Sequence, residues 1–146
     1  MKRVMGVDYG TKRVGIALSD PLRMTATGYE TISWNGQDPA FLLDRMAEII
    51  REKDVGEIVF GLPGRTDGRI SESEQKARAL GESLQEKTGI APIFLDERYT
   101  TVIASRYLRD TGVKKDKKKQ VIDQVAAEII LREYLETQRG SGSFMV

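Results

Sequence analysis

The chain has 146 residues, of which 40% are hydrophobic and 31% charged, a balance typical of one globular domain folded around its own core. It contains no histidine and no cysteine, which excludes histidine relays, thiolate nucleophiles and zinc sites made of imidazole or thiolate. The net charge of +1 favours neither acidic nor basic partners, and carboxylates remain as ligands suited to Mg²⁺, Mn²⁺ or Ca²⁺. The sequence lacks a long apolar run and a secretory h-region, so we expect a cytoplasmic protein.

The N-terminal part has the pattern of three short strands. The segments "RVMGVDYG" and "RVGIALSD" are apolar runs separated by a turn at Gly10, which predicts a hairpin. After a second turn, "MTATGYETISW" alternates and is rich in threonine and tyrosine, which predicts a third strand. We therefore expect an antiparallel start to the sheet.

Helical periodicity begins with the next segment. In "DPAFLLDRMAEIIREKD", apolar residues recur at helical spacing behind Asp38 as a cap and Pro39 at the first helical position. A second helix is predicted for "SESEQKARALGESLQEKTG", and Gly89 is expected to end it.

Two further strands and two further helices complete the predicted elements. The continuous apolar runs "EIVFGLP" and "IAPIFLDE" are typical of strands buried on both faces. The segments "TTVIASRYLRD" and "QVIDQVAAEIILREYLE" have helical spacing and follow the last strand.

This order predicts an α/β fold on a mixed sheet, in which three antiparallel strands precede parallel strands joined by crossovers. No repeat or linker divides residues 1–138, which we interpret as one domain, and residues 139–146 are expected to form a disordered tail. Ligands of such sheets gather at the carboxyl ends of strands, where Asp8, residues 61–68 and Glu97 are expected.

Three acids stand out by position. Asp8 ends the first strand, Glu97 ends the last, and Asp123 lies beside the apolar stripe of the final helix. A metal ion would offset the cost of burying such acids. Taken singly, each also has an ordinary structural role: Asp8 accepting backbone N–H bonds in its turn, Glu97 pairing with Arg98 or capping a helix, and Asp123 pairing with Lys119.

Basic residues near the same edge are candidates for binding phosphate. The segment "KKDKKKQ" places five lysines within residues 114–119, as a solvated loop or as a contact for a nucleic-acid backbone. The glycine-rich residues 61–68, with Arg65, form either a phosphate cradle or a tight turn. The candidate substrate-binding residues are Lys12, Arg13, Arg65, Arg98, Lys114, Lys117 and Lys118.

Four segments together resemble one known family. In this order over nearly the whole chain, "GVDYGTKRVGIALSD", "GLPGRTDG", "LDERYTT" and "DQVAAEIILREYL" closely resemble the YqgF/RuvX family, relatives of the RuvC-type Holliday-junction resolvases. The resemblance implies an RNase H-like fold with a mixed five-stranded sheet flanked by helices, and a nuclease dependent on Mg²⁺ or Mn²⁺. It also implies processing of the 5′ end of pre-16S ribosomal RNA, with Holliday-junction resolution as the alternative.

The resemblance carries over to particular residues. It assigns Asp8, Glu97 and Asp123 as catalytic residues and metal ligands. Two positions depart from the resolvase relatives: Gln120 stands where they have a fourth carboxylate, and their glutamate follows an earlier strand, where this chain has Asp67. The sequence leaves open whether Asp67 or Gln120 contributes to the metal site.

Two other interpretations come from different classes of protein. The segment "DYGTKRVG" also resembles the first phosphate loop of the actin and sugar-kinase superfamily, but such ATP-binding proteins need a second lobe. A nucleic-acid-binding module without catalysis would use the lysine run and bind independently of Mg²⁺. For the nuclease and the module alike, the expected partner is structured RNA or branched DNA rather than a membrane, and monomer and homodimer both remain open.

Overall fold

The computed structural model describes residues 2–10, 12–34, 38–63, 72–97 and 115–144. Within these ranges the strands are β1 Arg3–Asp8, β2 Arg13–Ser19, β3 Ala26–Ser33, β4 Val55–Pro63 and β5 Pro92–Glu97. The helices are α1 Ala40–Glu52, α2 Glu72–Thr88 and α3 Lys115–Phe144. No helix among the described residues is both long and apolar enough to span a bilayer.

The strands form one sheet with β1 at its centre. The strand order is β3-β2-β1-β4-β5; β2 pairs antiparallel with β1 and β3, whereas β4 pairs parallel with β1 and β5. The predicted mixed sheet is thus confirmed. Because β1, β4 and β5 are parallel, their last residues, Asp8, Pro63 and Glu97, meet at one end of the sheet, which we call the carboxyl edge.

Helices α1 and α2 cover one face of the sheet, as their apolar periodicity predicts. The Asp38 carboxylate accepts the Ala40 amide at 3.0 Å, the role of a capping residue. Gly89 follows α2 with a φ of 80°, a conformation that favours glycine at a helix end. Each fully buried aliphatic side chain contributes about 1.5–3 kcal/mol, and α1 buries Leu42, Met46, Ile49 and Ile50.

Helix α3 covers the opposite face and lies directly on glycines. A Cβ at Gly6 would come within 2.8 Å of the Ala127 carbonyl oxygen, and one at Gly61 within 2.3 Å of Ile130 Cδ1. Glycine in a strand often marks such a close approach. The absent side chains therefore let α3 sit close to the sheet and extend towards the carboxyl edge.

The C-terminal part differs from two predictions. The charge run predicts a loop, but the backbone is helical from Lys115, because lysine is a good helix former and neither glycine nor proline interrupts residues 115–119. The helix also continues through residues 139–144, for which a disordered tail was expected, because extending a formed helix costs far less than starting one. The helix predicted for "TTVIASRYLRD" lies outside the described residues.

Candidate active site

Asp8 lies at the end of the central strand with a glycine beside it on each neighbouring strand. Its register partners are Gly15 of β2 and Gly61 of β4, neither of which has a side chain. Alternation along β1 directs Asp8 to the same face as Gly6, which is the face covered by α3. The carboxylate of Asp8 therefore lies between two glycines, under the helix that carries Asp123.

The surroundings of Asp8 disfavour its charged form. Burial raises the pKa of Asp8 to about 7, and the nearby negative charge of Asp123 adds to the shift. No residue in the described ranges donates a hydrogen bond to Asp8 or forms an ion pair with it. One alternative from the sequence is that Asp8 accepts backbone N–H bonds in its turn. No such bond is found among the described residues.

Asp123 has a partner from the other end of the sequence. Arg13 Nε donates to Asp123 Oδ2 at 2.8 Å, and the exposed fraction of the Asp123 side chain is 16%. Burial raises the pKa of Asp123, and the hydrogen bond and charge of Arg13 act against that rise. Arg13, predicted to bind substrate, thus lies at the candidate site and holds one of its acids.

A glycine sets the position of Asp123. A Cβ at Gly15 would lie 2.0 Å from the carbonyl oxygen of Asp123 and 3.0 Å from its Cβ, so only glycine allows α3 to approach here. The same close approach places Asp123 near enough to raise the pKa of Asp8. The two acids are brought together by helix–sheet packing rather than by a local turn.

Glu97 ends β5 at the same edge. Its backbone pairs with Pro63 of β4, and β4 lies between β5 and β1, so Glu97 and Asp8 are two strands apart, or about 10 Å between strand axes. The side chain of Glu97 is outside the described part of the structure. Among the side chains that are described, no group of three metal-binding residues is found.

The described acids nevertheless fit a hard divalent cation. Asp8 and Asp123 offer carboxylate oxygens, the ligands that Mg²⁺ and Mn²⁺ prefer. Asp8 is partly buried near a second carboxylate and receives no hydrogen bond from a described residue, so a cation would lower the cost of its charge. Asp123 Oδ2 is engaged by Arg13, and no described donor binds Oδ1.

The remaining predicted residues divide into two groups. Lys12 lies exposed in the turn between β1 and β2, beside the carboxyl edge. The others lie outside the described residues or, within α3, have side chains outside them; they are Arg65, Asp67, Arg98, Lys114, Lys117, Lys118, Lys119 and Gln120.

Sequence reasoning missed two features of the site. The Arg13–Asp123 pair joins residues 110 positions apart, and no local pattern indicates it. The role of Gly15 in admitting α3 was also missed, although a glycine in the middle of a predicted strand is a signal that another chain segment approaches closely.

Comparison with known proteins gives related sequences over almost the whole chain. The RuvX family, described as Holliday junction resolvase, matches residues 2–137. A protein of Acetivibrio thermocellus is 42% identical over 137 residues, which cover 93% of this chain and 96% of that relative. One of Bacillus cytotoxicus is 40% identical over 136 residues, covering 93% and 99%. Both carry the name "Putative pre-16S rRNA nuclease".

Solved structures share the fold. RuvC of T. thermophilus, in complex with a Holliday junction substrate, has a TM-score of 0.58 at 16% identity, covering 96% of this chain and 97% of that one. The fowlpox virus resolvase, bound to Holliday junction DNA, has a TM-score of 0.54 at 12% identity, covering 93% and 98%. The predicted RNase H-like architecture is therefore confirmed, while identities this low show the fold alone.

Proposed function

Because this chain belongs to the RuvX family, we propose that it hydrolyses phosphodiester bonds in a metal-dependent reaction and that its substrate is the precursor of 16S ribosomal RNA. The observation that carries the proposal is Asp8, partly buried at the end of the central strand with the carboxylate of Asp123 near it and no donor among the described residues. Such an acid at the carboxyl edge is suited to a cation and a phosphate.

Asp8, Asp123 and Glu97 are the residues that would hold Mg²⁺ or Mn²⁺. The bound ions supply activation of the attacking water and stabilisation of the leaving oxygen. Asp8 must lose its proton to act as a ligand, which its pKa of about 7 permits near neutral pH. The histidine-free composition leaves proton transfer at the site to carboxylates, lysine, hydroxyl groups and water.

Arg13 has two contributions in this proposal. Its guanidinium orients Asp123 through Nε, and the side chain is one-third exposed, so its remaining N–H groups can reach a phosphate oxygen at the edge. Lys12 lies in the turn just before Arg13 and adds positive charge that would attract the nucleic-acid backbone. We further propose Arg65, Arg98 and the lysines of residues 114–119 as phosphate contacts. Arg65 and Arg98 follow strands that end at this edge, and the lysines precede Asp123 in the sequence by less than ten residues.

Ribosomal RNA precursor is favoured over a DNA junction by sequence similarity. Relatives at about 40% identity over nearly their full length carry the rRNA nuclease name, whereas the junction-bound resolvases are similar in fold alone. Gln120 also stands where, as the motifs align, resolvases have a carboxylate. Action on pre-16S rRNA would place the protein in the cytoplasm, with residues 1–138 as the nuclease domain.

One assay separates these substrates. The purified protein is incubated with Mg²⁺ or Mn²⁺ and three end-labelled substrates: RNA spanning the 5′ precursor boundary, RNA beginning at the mature end, and a four-way DNA junction. We expect cleavage of the precursor RNA alone. Paired symmetric cuts in the junction with intact RNA would assign a resolvase, and binding without cleavage would assign a binding module.

A further inference from the structure

A cavity opens beside the carboxyl edge, on the face opposite α3. Its volume is about 220 Å³. Its lining includes Tyr9, which directly follows Asp8, and Trp34, which follows β3. Helix α2 contributes the opposite wall through Lys76, Ala79, Leu80 and Ser83, and Pro39 completes the cavity.

The two aromatic rings form a corner. Their centroids are 6.1 Å apart, with planes at 61° in an edge-to-face arrangement. Trp34 is held in place at three points: Nε1 donates to the Gly10 carbonyl at 2.9 Å, its backbone N–H donates to the Lys12 carbonyl at 2.9 Å, and the ring packs against the core. The indole is therefore presented in a fixed orientation to whatever occupies the cavity.

The cavity combines this apolar corner with one cation. Lys76 forms an ion pair with Glu72 at 3.1 Å, but the Glu72 side chain is 80% exposed, and exposed pairs of this kind contribute little. Lys76 can therefore turn to another anion at low cost. The described residues that line the cavity include no carboxylate.

We propose that this cavity binds one unpaired nucleobase of the nucleic-acid strand whose phosphate lies at Asp8. The inference rests on the proposed nuclease function, because it takes a nucleic-acid strand as the occupant. Recognition of single-stranded RNA commonly uses bases turned out of the stack and placed against aromatic rings. A phosphate next to that base would reach the Lys76 ammonium.

The position of Tyr9 relates the cavity to the reaction. Asp8 and Tyr9 are adjacent in the chain, with Cα atoms about 3.8 Å apart, so the proposed phosphate site and base site adjoin each other at the end of β1. Along the chain the two side chains point to opposite faces of the sheet end. A nucleic-acid strand that crosses the carboxyl edge would thus place its backbone at Asp8 and one base in the cavity on the other face of the sheet.

The chain contains a single tryptophan, which makes its fluorescence a direct probe of this cavity. The titration is done in EDTA, so that the strand stays intact, with a short single-stranded oligoribonucleotide and with its abasic counterpart of equal charge. We expect the base-containing strand to change Trp34 emission and to bind about tenfold more tightly than the abasic strand, the typical gain from stacking one base.

Three variants sharpen the test. Tyr9→Leu removes one ring, and Ala79→Leu fills the cavity from an exposed position on α2, where folding is not at risk. Both are expected to abolish the preference for the base-containing strand while binding of the abasic strand is unchanged. Tyr29→Leu, at an exposed tyrosine of β3, serves as the control and should keep the preference.

The outcomes separate this inference from the nuclease proposal. Equal binding of both strands with unchanged Trp34 emission would overturn the base site, while metal-dependent cleavage of RNA would leave the nuclease intact. A response to free adenosine monophosphate but not to the strand would also overturn it. Failure of both strands to bind in EDTA would overturn the base site, whereas the nuclease proposal is overturned only by the absence of RNA cleavage with Mg²⁺ or Mn²⁺.

Discussion

At the scale of single residues, the energetic cost of the ionised Asp8 carboxylate is the central property of the site. The pKa of Asp8 is raised from 3.8 to about 7 by burial first and by Asp123 second. Arg13 partly neutralises Asp123, and no described donor does the same for Asp8. A cation at the edge would reverse this cost, so metal affinity should rise as pH passes through about 7.

The same pKa predicts how stability depends on pH without metal. Between pH 4 and 7 the native protein keeps the Asp8 proton while the unfolded chain has lost it, so this group lowers the free energy of unfolding as pH rises. The full effect is roughly 4 kcal/mol for three pKa units. Asp8→Asn should therefore be more stable than wild type above pH 7 and similar to it at pH 4.

Urea unfolding in EDTA at pH 4 and 8 measures this difference. The control is Asp44→Asn, which alters an exposed acid of α1 that pairs with Lys87. A wild type and an Asp8→Asn variant that lose the same stability between the two pH values would show that Asp8 titrates normally.

The third ligand is tested by a pair of substitutions. Glu97→Gln should slow cleavage as much as Asp8→Asn does, because carboxylates that act as one metal site show losses as large singly as together. Asp67→Asn should retain activity. Initial rates on the same RNA decide between them, and the reverse result would assign the third ligand to Asp67.

Two of the site's acids could be predicted from sequence, and their interaction could not. Asp8 at the end of an apolar run and Asp123 beside an apolar helical stripe each stand out locally. Their proximity depends on how α3 packs against β1 and β2, and such tertiary packing leaves no local pattern in the sequence. The Arg13–Asp123 pair has the same origin, since neither residue has a local reason to select the other.

At the scale of elements, the approach of α3 to the sheet positions the candidate site. Gly15 permits it at the carboxyl edge. At the other end of the sheet, the Tyr134 hydroxyl donates to Glu57 of β4 at 2.6 Å, and Arg23 donates to the same carboxylate at 3.0 Å. The helix is thus fixed at one end by a polar network and at the other by close packing.

Gly15→Ala should separate Asp123 from Asp8. The added Cβ would lie 2.0 Å from the Asp123 carbonyl oxygen, so α3 must move. Overpacking of this kind costs about 1–3 kcal/mol, and we expect cleavage to be lost as well. Urea unfolding and initial cleavage rates are measured on the same preparation.

Gly89→Ala is the matched control for that experiment. Gly89 has a φ of 80° and no neighbour that a Cβ would meet, so alanine there strains the backbone without moving α3. Stability should fall while cleavage by the folded protein is retained. Full activity in Gly15→Ala would show that the position of α3 is not critical to the site.

The lysine run is tested as part of α3. Its backbone forms the first turns of the helix, so Lys117, Lys118 and Lys119 follow the helix start near the candidate site. Replacing these three with alanine should weaken binding of single-stranded RNA and reduce the salt dependence by about 0.7 log units for each lost phosphate contact. Metal affinity should hardly change.

Binding isotherms at several salt concentrations measure this effect. The control replaces Lys2, Lys53 and Lys87, which precede β1, follow α1 and end α2, and so lie away from the carboxyl edge. Identical salt slopes for the two triple variants would show that the run is only solvated charge and would move the strand path to Arg13 and its neighbours.

Helices and strands were predicted most reliably where the apolar periodicity agrees with the capping, turn or glycine residues at the ends of the segment. The alternation of β3, the capped start of α1 and the glycine end of α2 were each read correctly. The predicted start of α3 is wrong. The charge of residues 115–119 indicates a loop, but lysine also propagates a helix well, and the helix begins at Lys115.

At the scale of the whole molecule, the two faces of the sheet have different tasks. Helices α1 and α2 form the larger apolar core with one face, and α3 on the other face brings an acid to the carboxyl edge. The mixed topology places the ends of three parallel strands at this edge, where open α/β sheets bind ligands. The order of the predicted elements indicated this mixed sheet, and the resemblance of four motifs to the RuvX family implied the RNase H-like fold.

The central claim is that Asp8 supports metal-dependent hydrolysis of a phosphodiester bond. It is tested most directly by initial cleavage rates of end-labelled precursor RNA, with saturating Mn²⁺ or with EDTA, for wild type, Asp8→Asn and the exposed-acid control Asp44→Asn. We expect wild type and Asp44→Asn to cleave in Mn²⁺ and not in EDTA, and Asp8→Asn to be slower by a factor on the order of 10² to 10³, the typical cost of losing one charge-stabilising group. Cleavage that persists in EDTA, or an Asp8→Asn variant as fast as wild type, would contradict the claim.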